Sequence, residues 1–288
     1  MLSYPGKILL FGEYTLLYNK QALAIPFSKY SGNWNFKSKP HGTPDLSPWL
    51  NYIKELPESE SWISKEAIAS FSDDLNNDLW FDSNIPQGYG LGSSGALVAA
   101  WYGRYIEEKS EESLLELKSR FSKLESFFHG SSSGFDPLVS YTNRTIFQQG
   151  EAIDFLREDN KTMLANFFII DSGIPRSTEP LVKWFRENIE GDQSFENRVK
   201  SALVPNQQNA IEAFISCDQT KLINAMKNIS AIQMTIMNRL IPNHLKNVWN
   251  IGLQEEQYFM KLCGAGGGGV MLGMGKFSNS EIESISLA

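Results

Sequence analysis

Short apolar runs and longer runs with helical spacing are mixed along this chain. The short apolar or alternating runs predict strands, at residues 7–11, 22–26, 33–37, 79–81, 144–149, 153–156, 167–170, 258–262 and 270–274. The two runs that flank Gly150 are expected to form a hairpin. Apolar residues three and four positions apart predict helices, at residues 49–56, 63–75, 94–108, 179–188, 194–213, 220–237 and 243–252. Strands and helices do not alternate regularly, which favours an α+β fold over a doubly wound sheet.

The clearest helix lies between Ser110 and Gly130. Ser110 is expected to cap its first turn, and Gly130 is expected to end it. The apolar residues of this helix recur at Leu114, Leu117, Phe121, Leu124 and Phe128. Glu125 lies at the edge of that apolar face. Its carboxylate is therefore either partly buried, and then paired or metal-bound, or it reaches past the core to solvent.

A second carboxylate follows on the chain at Asp136. It precedes Pro137, so it can be the N-cap of a helix whose first turn holds the proline. The small-residue segment 130–134 can instead fold Asp136 back toward Glu125. The residues alone leave both interpretations open.

Composition limits the classes of protein to which the chain can belong. A formal net charge of -7 argues against a nucleic-acid partner. No apolar run approaches the ~20 residues of a membrane span, and the N-terminus has no signal-peptide pattern. The two cysteines cannot form a disulfide framework, and the three histidines show no zinc-binding spacing. We therefore expect a cytoplasmic protein that contacts neither nucleic acid nor membrane.

Three glycine-rich segments are the strongest chemical signal, at residues 5–13, 86–95 and 263–269. Glycine lets the backbone approach a ligand closely, and the N–H groups at a helix start attract anions. A polyphosphate ligand is therefore expected, and the Ser93 and Ser94 hydroxyls of the middle segment suit phosphate with Mg²⁺. The middle segment also matches the GxGxxG dinucleotide pattern. That interpretation is disfavoured, because residues 86–87 separate any strand from the turn.

Charged residues stand at both ends of the first predicted strand, at Lys7 and Glu13. Each could be a surface residue at a strand end. A lysine in the same site as two carboxylates and a phosphate loop would have another use. It would neutralise charge on a transferring phosphoryl group and keep a nearby carboxylate ionised.

The three glycine-rich segments resemble the motifs of the GHMP small-molecule kinases. They occur in order as PGKILLFGEY, PQGYGLGSSGA and CGAGGGGVML, and they span nearly the whole chain. The resemblance implies a two-domain α+β fold with the active site in the cleft. Residues 1–165 would form the N-terminal, ribosomal-protein-S5-like domain, and residues 166–288 the C-terminal, ferredoxin-like domain. It also implies ATP and Mg²⁺ as cofactors and a small hydroxy acid as substrate, and it leaves a homodimer open.

Within this family, residues 125–137, ESFFHGSSSGFDP, resemble the Glu, His-Gly, Ser-Gly and Asp segment of mevalonate kinases. The implied reaction is phosphorylation of the primary hydroxyl of mevalonate. Glu125 and Ser94 would bind Mg²⁺. Asp136, beside Lys7, would be the catalytic carboxylate that accepts the hydroxyl proton or orients the hydroxyl. Nucleotide contacts are implied for Gly90, Leu91, Gly92, Ser93, Ser94, Gly95, Gly266 and Gly267. Substrate contacts are implied for Glu13, Tyr14, Arg176, Ser177 and Thr178.

Two residues favour a different acceptor. Tyr14 and Gly95 resemble the corresponding positions of phosphomevalonate kinases. An acceptor that carries a phosphate would need further cations, for which Arg176, Lys29 and Arg144 are candidates. A nucleotide-binding protein of this fold without catalytic activity is a further alternative, although the complete set of catalytic residues argues against it.

Overall fold

The computed structural model describes residues 2–56, 60, 62–107, 112–176, 178–279 and 282–287. Its strands are β1 (Tyr4–Phe11), β2 (Gln21–Asn35), β3 (Trp80–Ser83), β4 (Ile146–Gln149), β5 (Ala152–Phe155), β6 (Phe167–Asp171), β7 (Tyr258–Leu262), β8 (Val270–Gly275) and β9 (Ser284–Ser286). Its α-helices are α1 (Leu16–Asn19), α2 (Ser47–Lys54), α3 (Lys65–Asn76), α4 (Ser93–Tyr105), α5 (Leu114–His129), α6 (Phe135–Thr142), α7 (Thr178–Gly191), α8 (Gln193–Arg198), α9 (Val204–Ile215), α10 (Gln219–Ile236) and α11 (Asn243–Glu255).

The chain forms two compact units, each made of several segments. The first contains segments 1–7, 26–86 and 92–144, and the second contains segments 8–25, 87–91 and 145–288. The boundary expected at residues 165–166 divides the chain into consecutive domains, and it stays a prediction. Among the described residues, no helix combines the length and the hydropathy that a bilayer span requires.

Helix α4 is central to the first unit. Every residue of the stretch Gly95–Tyr102 is buried, because helices α3, α5 and α6 all pack against α4. Trp101 of α4 makes edge-on contacts with Trp49 and Phe71, and the Trp49 indole N–H donates a hydrogen bond to the Leu124 carbonyl oxygen at 3.1 Å. Aromatic packing of this kind fixes α4, and with it the position of the first turn of α4.

The second unit contains a four-stranded sheet in the order β7-β8-β6-β9. Its pairings are antiparallel, with Phe167 opposite Met274 and Ile170 opposite Met271. Helices α10 and α11 pack on β7. In a five-stranded sheet, strand β2 neighbours β1. It also pairs antiparallel with β4 through its first residues and with β3 through its last. The expected hairpin of β4 and β5 is confirmed, as is the α+β class.

Two sequence predictions differ in detail from the structure. The strands expected at residues 22–26 and 33–37 are parts of the single strand β2. The helix expected at residues 194–213 is present and runs without a break through α8 and α9, but it contains a π-helical turn at Val199–Leu203. Pro205 explains the second difference, since it has no N–H to donate to residue 201 and the wider turn lies directly before it.

The cap expected for α5 at Ser110 lies outside the described residues. The structure starts α5 at Leu114 with Ser113 as its N-cap. The Ser113 hydroxyl accepts a hydrogen bond from the Glu116 backbone N–H at 3.2 Å, and the Glu116 carboxylate accepts one from the Ser113 backbone N–H at 2.9 Å. This reciprocal capping box satisfies two donors at the helix start.

We expect Ser113→Ala to lower the free energy of unfolding by about 1 kcal/mol, because the α5 start loses its cap. Urea denaturation measures this change. Ser70→Ala is the control, since Ser70 is exposed within α3 and alanine is the better helix former. Equal stability of Ser113→Ala and the wild type would contradict the cap.

Candidate active site

The first turn of α4 presents backbone donors at the end of the middle glycine-rich segment. Gly92 is the N-cap, with φ of 76°. The first hydrogen bond of the helix runs from the Ala96 N–H to the Gly92 carbonyl oxygen at 2.9 Å. The N–H groups of residues 93–95 therefore have no acceptor within the helix, and with the helix dipole they make this end attractive to anions.

Lys7 and Asp136 form an ion pair in the same unit. The Lys7 Nζ lies 3.0 Å from the Asp136 Oδ2, and the exposed side-chain fractions are 8% for Lys7 and 35% for Asp136. Asp136 lies in the first turn of α6, whose N-cap is Gly134. The N-cap interpretation of Asp136 is therefore wrong, and the carboxylate faces the lysine while keeping access to solvent.

Two glycines bring the start of α4 against this ion pair. A Cβ at Gly92 would lie 2.8 Å from the Lys7 Cγ, and a Cβ at Gly95 would lie 2.9 Å from the Asp136 carbonyl carbon. A Cβ atom does not approach a non-bonded carbon that closely, so any side chain at either position would displace its neighbour. The donors of α4, the lysine and the aspartate consequently occupy one small volume.

Glu125 is buried beside this group, with 4% of its surface exposed. Its Oε1 accepts a hydrogen bond from the Ser94 Oγ at 3.0 Å, and its Oε2 accepts one from the Ser132 Oγ. Burial raises the pKa of Glu125 to about 7, the negative charge of Asp136 adds to this effect, and the two hydroxyls and Lys7 oppose it. The alternative in which this side chain reaches past the core to solvent is wrong.

Sequence reasoning gave no role to two residues that contact this site. The His129 Nε2 lies 2.9 Å from the Ser94 Oγ, and Ser132 contacts Glu125. His129 could have been found, because it is four residues after Glu125 and so shares its helix face. Ser132 could not, because it is the middle one of three consecutive serines.

The oxygen atoms of the Glu125 carboxylate and the Ser94 hydroxyl suit Mg²⁺. A carboxylate and a hydroxyl oxygen are ligands of the kind that this ion takes from proteins, and phosphate oxygens usually complete its coordination. A carboxylate that burial has made costly to ionise would be stabilised by a cation. Within the described part of the chain, no group of three or more His, Cys, Asp or Glu side chains could hold a metal ion.

In the second unit, Arg176 binds the third glycine-rich segment. Its Nη1 donates hydrogen bonds to the carbonyl oxygens of Cys263 at 2.8 Å and Gly266 at 3.3 Å. Its backbone N–H donates to the Gly88 carbonyl oxygen at 3.0 Å. A Cβ at Gly90 would collide with its guanidinium group. The arginine thus joins backbone of the middle and third segments, and its predicted substrate contact stays a prediction.

Backbone N–H groups of the third segment are engaged within the second unit. The Gly267 N–H donates to the Leu240 carbonyl oxygen at 2.6 Å, and the Gly269 N–H donates to the Ile174 carbonyl oxygen at 2.7 Å. The nucleotide contacts expected of Gly266 and Gly267, and those of Gly90 and the buried Leu91, stay predictions.

Glu13 lies in the interior of the second unit. Its carboxylate accepts hydrogen bonds from the Lys261 Nζ at 2.5 Å and from the Gln207 Nε2 at 3.2 Å. Both members of the ion pair have 0% side-chain exposure. Both carboxylate oxygens are therefore already engaged, and a substrate contact by Glu13 stays a prediction. The sequence pattern does not predict an ion pair at Lys261, because this residue lies within an apolar strand run.

Tyr14 attaches the first glycine-rich segment to the third. Its hydroxyl donates a hydrogen bond to the Ala265 carbonyl oxygen at 2.7 Å, and its ring stacks on Phe185 with centroids 4.3 Å apart. Burial raises the pKa of Tyr14, so the hydroxyl keeps its proton and remains a donor. Its predicted substrate contact stays a prediction.

The predicted site residues thus fall into groups within each unit. In the first unit, the four predicted catalytic and metal-binding residues lie together: Lys7, Ser94, Glu125 and Asp136. Ser177 lies outside the described residues. Thr178 is the first residue of α7, and a substrate contact by either residue stays a prediction.

Comparison with known proteins finds a family match for part of the chain. Residues 62–144 match the family model described as "GHMP kinases N terminal domain". The matched segment contains the second of the three motifs, and the match supports the resemblance to the GHMP kinases there.

Relatives and solved structures extend this similarity to the whole chain. A mevalonate kinase from Thermococcus sibiricus is 24% identical over 311 aligned residues, covering 99% of this chain and 91% of that protein. The crystal structure of L. major mevalonate kinase in complex with R-mevalonate has a TM-score of 0.61 at 18% identity, covering 96% of this chain and 87% of that chain. Streptococcus pneumoniae phosphomevalonate kinase in complex with phosphomevalonate and AMPPNP has a TM-score of 0.62 at 16% identity. The alignment covers 96% of this chain and 92% of that chain. The fold is that of the GHMP kinases.

We expect Gly95→Ala to lower the free energy of unfolding by about 1–3 kcal/mol, since the added methyl group forces α4 and α6 apart. Alanine would otherwise favour a helix by up to ~1 kcal/mol. Gly191→Ala is the matched control, because Gly191 ends α7 and a Cβ there would meet nothing within 4 Å. Urea denaturation of both variants tests this difference, and a stabilised Gly95→Ala would refute the close approach.

Proposed function

We propose that this protein is an ATP-dependent kinase that phosphorylates the primary hydroxyl of mevalonate. The observation that carries the proposal is the ion pair of Lys7 and Asp136 against the first turn of α4, with Glu125 and Ser94 beside it. Phosphoryl transfer needs anion donors, a cation and a carboxylate near the acceptor hydroxyl. Mevalonate as the acceptor is supported by the similarity to mevalonate kinases over nearly the full chain.

The middle glycine-rich segment is proposed to bind the phosphates of ATP. The N–H groups of residues 93–95 lack helical acceptors and would donate to phosphate oxygens. The Ser94 hydroxyl and the Glu125 carboxylate would hold Mg²⁺. When bound, this ion would neutralise charge on the β- and γ-phosphates.

Asp136 and Lys7 are proposed to act on the acceptor and on the transferring group. The acceptor hydroxyl oxygen forms a bond to the γ-phosphorus while the bond to the ADP oxygen breaks. Asp136 either takes the hydroxyl proton or orients the hydroxyl. Lys7 keeps Asp136 ionised and stabilises negative charge on the phosphoryl oxygens.

Phosphomevalonate is the alternative acceptor. It would need further cations, and the three candidates differ in their surroundings. Arg176 already donates hydrogen bonds to backbone carbonyls, while Lys29 and Arg144 are exposed. Mevalonate is favoured because the relatives matched over nearly the full chain are mevalonate kinases. ADP release with mevalonate and with phosphomevalonate distinguishes the two acceptors, and release with neither would favour the non-catalytic nucleotide-binding protein.

Two broader expectations belong to the same proposal. We infer a cytoplasmic enzyme, because Cys217 and Cys263 are free thiols and reduced cysteines are typical of that compartment. A homodimer is the oligomeric state to test. Sedimentation of the purified protein over a range of concentrations measures it directly.

We expect Asp136→Asn to keep ATP binding close to normal while kcat falls by roughly 10²–10⁴-fold, the range for a positioned acid or base. The measurement pairs calorimetric nucleotide binding with a coupled ADP-release assay. Asp82→Asn, on an exposed residue of β3, should retain wild-type kcat. Normal turnover of Asp136→Asn would remove this carboxylate from the chemistry.

We expect Glu125→Gln to raise the Mg²⁺ concentration needed for half-maximal activity by about 10–100-fold, since a neutral amide is a poorer ligand. A Mg²⁺ titration at fixed ATP measures the change. Glu66→Gln, an exposed substitution on α3, should titrate like the wild type. An unaltered Mg²⁺ requirement in Glu125→Gln would argue that this carboxylate binds no metal.

A further inference from the structure

The loop between α5 and α6 contains three consecutive serines, Ser131–Ser133, and their surroundings differ. The Ser132 Oγ donates a hydrogen bond to the Glu125 Oε2. The Ser133 Oγ accepts a hydrogen bond from the Phe135 N–H at 3.3 Å, and Ser131 is exposed. The Ser-Gly pair of the motif would single out Ser133, whereas the contact to the buried carboxylate is made by Ser132.

Ser132 is itself held by two further hydrogen bonds. The Gly134 N–H donates to the Ser132 Oγ at 3.0 Å, and the Ser122 Oγ donates to the Ser132 carbonyl oxygen at 2.6 Å. A hydroxyl has one proton to donate. That proton is directed at Glu125, so the loop backbone determines which way the carboxylate is turned.

His129 contacts Ser94, the second of the two proposed metal-binding residues. The Ser94 hydroxyl proton is donated to the Glu125 Oε1, so this hydroxyl cannot also donate to His129. The His129 Nε2 must therefore carry the proton and donate to the Ser94 Oγ across 2.9 Å. One lone pair of that oxygen is thereby used, and the second remains for another ligand.

We propose that Ser132 and His129 are positioning residues that turn Glu125 and Ser94 toward the metal ion of the nucleotide substrate. The inference rests on the proposed function. Hydrogen-bonding partners of metal ligands fix the orientation of those ligands, and their loss usually lowers metal affinity by about 10–100-fold. Neither residue contacts the reacting groups itself.

A purely structural role would be different in kind. A histidine in the last turn of a helix often serves the helix dipole, and a loop serine often only closes a turn. Both roles affect folding stability without affecting metal ions. The two explanations therefore separate in a measurement that isolates the metal contribution.

The test compares AMPPNP binding by calorimetry in EDTA and in Mn²⁺, with no acceptor and no turnover. The ratio of the two dissociation constants gives the gain in AMPPNP affinity that the metal ion provides. We expect Ser132→Ala to bind AMPPNP like the wild type in EDTA and to lose about 10-fold of this gain. Ser131→Ala makes the same chemical change one residue away and should keep the full gain. A full gain in Ser132→Ala, or an equal loss in Ser131→Ala, would overturn the role of Ser132.

His129 offers a substitution that preserves the donor. The amide nitrogen of glutamine can replace the Nε2 of histidine, so His129→Gln should keep the gain to within a few-fold. His129→Phe keeps a planar ring without a donor and should lose about 10-fold. A loss in His129→Gln as large as that in His129→Phe, with similar thermal unfolding of both, would contradict positioning through this hydrogen bond.

The experiment also separates this inference from the proposed function. If the wild type binds AMPPNP with a clear metal gain and all four variants behave like it, the positioning role is wrong and the kinase proposal stands. If the wild type does not bind AMPPNP with or without Mn²⁺, the proposed function fails and takes the inference with it.

Discussion

The ion pair between Lys7 and Asp136 is the interaction on which the first unit depends. It joins β1 to the first turn of α6, and the first turn of α4 packs against both partners because Gly92 and Gly95 have no side chain. A buried lysine would be costly without a partner, and the aspartate supplies one while remaining open to solvent. The pair thus does two things: it compensates the buried charge of Lys7, and it holds the Asp136 carboxylate beside the first turn of α4.

The second unit uses charged groups for a different purpose. Arg176 binds backbone carbonyls of a glycine-rich segment, and Lys261 is enclosed with Glu13 in the interior. Glycine segments lack side chains that could fix them, so their order has to come from groups outside the segment. Tyr14 adds a third such contact through Ala265. The third segment is therefore an ordered element of the fold.

Much of this architecture could be predicted from the sequence, because apolar spacing and glycine clusters are local signals. The nine expected strand runs and the α4 and α5 helices correspond to observed elements, and Glu125 was expected at the edge of an apolar face. The failures concern partners distant in sequence. The partner of Lys261 is Glu13, which lies 248 positions away. The choice of Ser132 among three serines depends on how a loop closes, and that information is spread over two helices.

The division of each unit into separate segments has a consequence for how the protein can be made. The first unit is complete only when residue 144 has been synthesised, while residues 8–25 of the second must wait for the strands and helices beyond residue 145. Ile8, Leu10 and Phe11 are fully buried in the finished protein. A nascent chain that leaves the ribosome therefore carries an uncovered apolar strand through most of translation. Truncation after the first unit would leave that strand permanently uncovered, as a starting point for aggregation.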